Sequence, residues 1–194
     1  MSPNADRVYN FAFRGLLAEE ALDKVGRKTA KLEELSDQEI AHSLSLELLD
    51  ADLLADARKM SLVFVAICTF ENSARILVSR VLLEATGENW WEVNVSKNIK
   101  ERAVTRQQEE EKVRWHAQRG KDPIYYTTLG DLLNILRNNW DKFEPYIHSI
   151  EWAGSIFDML ERSRNVIMHS GVLDKADIER VGIHIRDWIK QVGA

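Results

Sequence analysis

Apolar residues along this chain recur at helical spacing, and no stretch alternates in the period-two pattern of a half-buried strand. The pattern predicts a first helix over residues 5–25, with Val8, Phe11, Ala12, Leu22 and Val25 on one side and Gly26 after it. Residues 27–51 are less regular. Ser36 with Glu39 three positions on reads as a capping box, while the stretch 43–46 has no helical period. A long helix follows over residues 52–85. Its stripe is Ala57, Met60, Phe64, Ile67, Ala74, Leu77, Val81 and Leu82, and Gly87 stands past its end, where a left-handed cap is common. Trp90 and Trp91 fall in a connector. Ser96 caps a helix expected over 97–119 that is polar on nearly all sides, so it projects from the body or pairs with something. Thr127 or Thr128 starts a short helix with Leu129, Leu132, Leu133, Leu136 and Trp140 inward, and Pro145 breaks the chain. A further helix over 151–169 stops at Ser170 and Gly171. Asp174, with Asp177 three residues on, caps the last helix, whose stripe (Ile178, Val181, Ile185, Trp188, Ile189, Val192) is the cleanest in the chain. The fold class expected is all-α, with residues 1–50 as an N-terminal helical extension and residues 51–194 as the main domain.

Length and composition agree with a globular reading. A chain of 194 residues, 45% hydrophobic and 29% charged, can bury a sizeable core. Its single cysteine, Cys68, cannot form an internal disulfide, and a reducing, cytoplasmic compartment follows by default. The apolar run 62–70 is too short to span a bilayer, and Asp6 and Arg7 precede any apolar stretch, so neither membrane nor signal peptide is expected. A net charge of −5 argues against bulk affinity for nucleic acid but leaves room for a local basic site. Three successive glutamates at 109–111 fan around a helix and cannot converge on a metal. His42, His116, His148 and His184 have no ligand-like partners at metal spacing. No phosphate loop, dinucleotide fingerprint, CxxC, HExxH or GxSxG motif occurs. No metal and no cofactor are therefore expected.

Chemistry concentrates at the end of the helix predicted over 151–169. With about 100° per residue, Trp152, Ile156, Met159, Leu160, Ser163, Val166 and Ile167 share one arc, the expected core face. Arg164 falls off that arc. Asn165 and His169, four apart, are neighbours on another face, and Met168 lies between Arg164 and His169. An apolar Met on a polar arc suggests a partner surface. The helix ends beside His169, where the macrodipole favours an imidazolium, which suits a group that gains and loses a proton near neutral pH. An Arg offers phosphate oxygens a planar fork that keeps its charge. The same spacing also describes a solvated Arg and a His stabilising a helix end. Glu71 and Arg75 form an i,i+4 pair, read either as an ordinary helix ion pair or as support for the motif. Trp90 and Trp91 are read as packing residues, with base stacking as the alternative. Arg102, Arg106, Arg114, Arg119 and Lys121 read as a solvated charged face or as a track for an RNA backbone.

The run 164–169, Arg-Asn-Val-Ile-Met-His, resembles the R-x4-6-H motif of the HEPN superfamily, in which a polar residue such as Asn typically follows the Arg. The stretches 70–75, 87–91, 129–133 and 139–143 resemble one branch, in which the domain also occurs fused to a PIN-type nuclease in transcript quality control. The resemblance covers roughly residues 55–190. It implies a HEPN-type helical bundle whose motif helices pair across a homodimer. It also implies metal-independent RNA cleavage in many members and a noncatalytic binding role in others. Arg164, Asn165 and His169 are then the catalytic set, Glu71 and Arg75 their support, and Met168 part of the dimer interface. HEPN toxins silenced by a nucleotidyltransferase antitoxin often carry Tyr two residues after the His; Gly171 stands there in this chain. The resulting expectation is an endoribonuclease toxin acting in defence or stress response. Its expected partners are RNA, a second copy, and an unidentified protein inhibitor or operon partner. The alternative is a noncatalytic HEPN module that binds RNA, a nucleotide or a protein.

Overall fold

The computed structural model describes residues 35–192. The helix expected over 5–25 lies outside them. The chain divides into two compact units, residues 1–50 and 51–194. In the first, α1 (Asp37–Ser43) begins at the capping box read from the sequence: Ser36 and Glu39 exchange hydrogen bonds. A 3-10 turn (Leu46–Leu48) follows from Ser45, which sits in the left-handed region at φ 52° and explains the lost helical period.

The second unit is an all-α bundle with no strand among the described residues. It comprises α2 (Ala51–Thr86), α3 (Trp90–Asn94), α4 (Lys97–Glu111), α5 (Leu129–Asn138), α6 (Trp140–Phe143), α7 (Ile150–Met168) and α8 (Lys175–Val192), with a 3-10 turn (Pro123–Tyr126) before α5. The long helix α2 is the axis: α3, α5, α6, α7 and α8 all pack on it, and α7 also packs on α5 and α8. Of the expected stripe, Met60, Ile67, Ala74, Leu77, Val81 and Leu82 are buried, while Ala57 is exposed and Phe64 half-buried; Val63, Phe70 and Val78 are buried in addition. Phe70, Phe157 and Trp188 meet edge-on with ring centroids 5.3–5.4 Å apart, joining α2, α7 and α8 at one point. That cluster immediately precedes Glu71 and fixes its position. Gly87 ends α2 at φ 73°, a conformation that costs a Cβ-bearing residue about 1–2 kcal/mol.

Taken alone the run 62–70 is too short for a bilayer. With the residues beyond Glu71, α2 becomes long and apolar enough to cross one by length and composition, at a mean hydropathy of 1.5. Burial against the other helices accounts for one side of that apolarity; Leu62, Val65, Ile76 and Leu83 remain exposed on the other.

The polar helix differs from expectation in its length. It stops at Glu111 rather than near 119, because its last turn carries three acidic residues and no base. Negative charge there opposes the helix dipole. Of the two arrangements expected of it, projecting or pairing, it takes the second. Ile99 and Ala103 are buried, and Arg102 and Arg106 both bind the buried Asp131 carboxylate of α5, Arg106 at 3.0 Å. Arg106 also donates to the Tyr126 carbonyl at 2.6 Å. Asp131 serves two purposes, since it completes a capping box with Thr128 at the start of α5. Burial alone would raise its carboxyl, but hydrogen bonds from Arg102, the Thr128 backbone and Arg106 outweigh burial and hold it below the usual carboxylate range.

Candidate functional site

Helix α7 starts at Ser149, whose hydroxyl accepts from the Trp152 amide, and ends in a complete left-handed cap. His169 is the C-cap residue. Ser170 follows at φ 62°, donating to the Ile167 carbonyl at 3.0 Å, and Gly171 donates to the Val166 carbonyl at 2.8 Å. These are the two bonds of a Schellman motif. A Cβ on Gly171 would stand 2.6 Å from Val166 Cγ1 and 2.9 Å from the Val166 oxygen. That close approach is the local reason why no larger residue occupies this position.

The buried face of α7 is rotated from the one read from the sequence. Ala153, Gly154, Ile156, Phe157, Leu160 and Ser163 are buried, while Val166, expected in the core, is exposed. The arc centres on Ala153, Phe157 and Leu160. Arg164, one turn beyond Leu160, therefore continues the middle of the buried face at its C-terminal end rather than falling off it. Its side chain is 35% exposed, and its Nε lies 3.8 Å from Glu71 Oε2. Glu71 itself is 7% exposed. Its other oxygen accepts a short hydrogen bond from Arg75, whose Nη2 also donates to the Thr127 carbonyl at 3.0 Å and whose Nη1 donates to Asn72 at 2.9 Å. One buried carboxylate thus holds two guanidinium groups from two helices, and Arg75 carries the network on to the start of α5. Glu71 and Arg75 form an internal network rather than a solvated helix pair. Cys68, one turn before Glu71, borders the same group. Burial pushes its thiol up and Glu71 adds to that, with Arg164 and Arg75 pulling the other way.

Asn165, Met168 and His169 are exposed. Among the described residues the side chains of Asn165 and His169 have no hydrogen bond or ion pair. The two are joined only through the backbone, where the His169 amide donates to the Asn165 carbonyl at 3.1 Å. Met168 is 55% exposed, and beside it a largely apolar groove of about 560 Å³ runs between α2 and the end of α7, with Met60, Phe64, Met168 and Val172 in its walls. The structure thus gathers Arg164, Glu71 and Arg75 into one cluster and leaves Asn165, Met168 and His169 on the open side of the same helix.

The remaining candidates resolve as follows. Trp90 and Trp91 pack edge-on at 5.6 Å against the core. Arg102 and Arg106 are occupied by Asp131, and Arg119 by Glu110 at 2.6 Å. No three His, Cys, Asp or Glu side chains among the described residues converge as metal ligands would. Asp131 was missed as a fixed point. Its signals were its place three residues after Thr128 and the i,i+4 pair of arginines on a helix otherwise short of partners.

The chain matches no curated protein and no solved structure. It does match the Swt1-like HEPN family over residues 66–193, a span running from the middle of α2, just before Cys68, through α8 and containing every residue of the cluster around Glu71. With that match over most of its length, and with the all-α bundle and the Arg164–His169 motif at the end of α7, the chain belongs to the Swt1-like HEPN family.

Proposed function

We propose that this protein is a metal-independent endoribonuclease that cleaves RNA at a site composed from two copies of the chain. The observation that carries the reading is the split within the motif. Arg164 stands 3.8 Å from a buried carboxylate, while His169, five residues on, is exposed and has no side-chain partner among the described residues. Cleavage without a metal needs a base at the 2′-hydroxyl, positive charge at the pentavalent phosphorus and an acid at the 5′-oxygen. A histidine serves as base or acid. Arg164 keeps its charge and offers a planar fork to phosphate oxygens. One chain supplies one such His, so a two-fold pair supplies the second. The exposed Met168 and the apolar groove beside it support that contact. Asn165, within reach of the same open face, orients His169 or binds phosphate. The products are a 2′,3′-cyclic phosphate and a 5′-hydroxyl, and DNA, which lacks the attacking hydroxyl, is not cut. A cytoplasmic role in defence or stress response, under an inhibitor protein, extends the same reading.

The test is a labelled-RNA cleavage assay in EDTA, with His169→Ala and Arg164→Ala beside the wild type. Cleavage should survive chelation. His169→Ala should lose roughly 10²–10⁴-fold in rate, the usual worth of an acid–base group, and Arg164→Ala roughly 10²–10³-fold, the worth of one charge-stabilising donor, while each melting curve stays near that of the wild type. A His169→Ala variant that folds and cleaves normally overturns the assignment, as does activity lost in EDTA and restored by Mg²⁺. If no preparation cleaves RNA, the noncatalytic HEPN module replaces this reading.

A further inference from the structure

A second feature lies on α2, on the far side of Arg75 from the motif. A groove of about 600 Å³ is walled by Arg75, Ile76 and Arg80 of α2, by Trp90, and by Arg119 and Tyr125 from the segment leading to α5. Its size is that of a small-ligand site. Three arginines and one carboxylate, Asp122, line it in a chain whose net charge is −5. Two are committed, Arg75 to Glu71 and Arg119 to Glu110. Arg80 is exposed, and among the described residues it has no ion-pair partner.

The aromatic wall is built rather than incidental. A Cβ placed on Gly120 would stand 2.7 Å from Cδ2 of the Tyr125 ring, so that ring rests directly on the Gly120 backbone. The Gly120 carbonyl in turn accepts from the Tyr126 hydroxyl at 3.2 Å. Tyr126 is fully buried and fastened to α4, because its own carbonyl accepts from Arg106. Tyr125 is thereby held in place while its ring stays partly exposed along the groove.

We infer that this groove holds an unpaired base of single-stranded RNA, stacked on Tyr125, with the adjoining phosphate on Arg80. The inference rests on the proposed ribonuclease function and deepens it. An aromatic ring held in place, facing an unpaired cation, is the combination that binds single strands without reading sequence. The groove lies further along the same helix as the motif and on a face turned away from it, since nine residues carry Arg80 about half a turn around α2 from Glu71. Helices α2 and α7 run antiparallel: Arg164 lies opposite Glu71, whereas Leu173, just past α7, meets Met60. His169, Arg164, Arg75 and Arg80 therefore follow one another along α2. From Glu71 to Arg80 the rise is roughly 13 Å, so the base in the groove flanks the scissile phosphate instead of adjoining it.

The experiment measures binding apart from cleavage. The probe is a short fluorescent 2′-O-methyl oligoribonucleotide, which cannot be cut because its 2′-oxygen is blocked, titrated with the full chain at several salt concentrations. Tyr125→Ala should weaken binding roughly ten-fold at unchanged salt slope, and Tyr125→Phe should restore it. Arg80→Gln should weaken it and reduce the salt slope by about 0.7, one phosphate's worth on a single strand. A duplex of the same sequence should bind less tightly. Wild-type affinity and slope in both Tyr125→Ala and Arg80→Gln overturn the inference. No binding by the wild type overturns it too; RNA cleavage by that same preparation would leave the catalytic reading standing. Binding lost in the variants, with no cleavage by any preparation, upholds the groove and removes the nuclease.

Discussion

Replacing Glu71 separates the residue that builds the site from the residue that would work in it. Glu71→Gln keeps the shape and removes the charge that two arginines share. Breaking a buried ion pair by removing one partner costs about 3–5 kcal/mol. Arg75 retains the Thr127 carbonyl and Asn72, and its side chain is 13% exposed, so its charge is not wholly stranded. Arg164 contributes little, being 3.8 Å away and more than a third open to water. The expected loss is then about 2–3 kcal/mol, which for a chain of this length lowers the melting temperature by roughly 4–12 °C. Arg164→Ala should cost no more than about 1 kcal/mol, the range of exposed ion pairs. Urea unfolding followed by circular dichroism, on the single variants and on a Glu71/Arg75 double-mutant cycle, reads these numbers directly. A coupling near zero between Glu71 and Arg75 would refute the buried network. So would an Arg164→Ala variant as unstable as Glu71→Gln, since Arg164 would then be a structural residue.

Three further outcomes follow from the same geometry. Met168→Glu should leave the helical circular dichroism signal unchanged, because the side chain is more than half exposed, yet shift sedimentation from dimer to monomer and remove any concentration dependence of the melt; a monomeric wild type that still cleaves RNA removes the composite site. Asp131→Asn should destabilise the protein at neutral pH and flatten its acid unfolding. A carboxyl held below its unfolded value of about 3.9 contributes stability fully above that pH and loses it as the pH falls through the depressed folded value, so acid melts parallel to the wild type would contradict the Arg102 and Arg106 clamp. Alkylation of Cys68 against pH reports the field around the motif. Glu71→Gln removes a group that raises the thiol and should shift the rate profile to lower pH, and Arg164→Ala should shift it the other way; identical profiles would place Cys68 outside that field.

Local signals carried most of the fold. The capping boxes at Ser36 and Thr128, the Asp174 bond to the Asp177 amide and the left-handed Gly87 are contacts over a few residues, and residue type at fixed spacing reveals them. The rotation of α7 was not legible in this way. Periodicity weights large apolar residues, so it drew Val166 into the core and undervalued Ala153 and Gly154, which are buried because other elements approach them closely. Nor can it show that an arginine is tolerated at the end of the buried face, since the carboxylate beside Arg164 lies on another helix. The same blindness applied to α4. Its inward face is Ile99, Ala103 and two arginine stems, a pattern that reads as polar until Asp131 is placed opposite.

The rotation of α7 changes how the motif can act. Had Arg164 stood off the core beside His169, both would have been solvated side chains, and organising them would have cost the rotamer entropy of each. With Arg164 at the end of the buried face, its stem is partly confined by the core and its head stands beside a buried carboxylate. The aromatic cluster of Phe70, Phe157 and Trp188 precedes Glu71, and Glu71 binds Arg75 and borders Arg164, so part of the ordering precedes any phosphate. A preorganised charge of this kind is the larger share of what an enzyme offers a developing phosphorane, because it needs no reorganisation in the reaction step. In the proposed reaction His169 has the opposite requirement, since proton transfer asks for access and freedom to change charge. Its position past the last turn of α7, with no side-chain partner among the described residues, leaves its environment to be set by whatever closes over Met168. The composite-site proposal therefore places the dimer's catalytic effect on His169 and not on Arg164. Dilution that dissociates the dimer should lower activity while leaving the Glu71–Arg75 coupling energy unchanged.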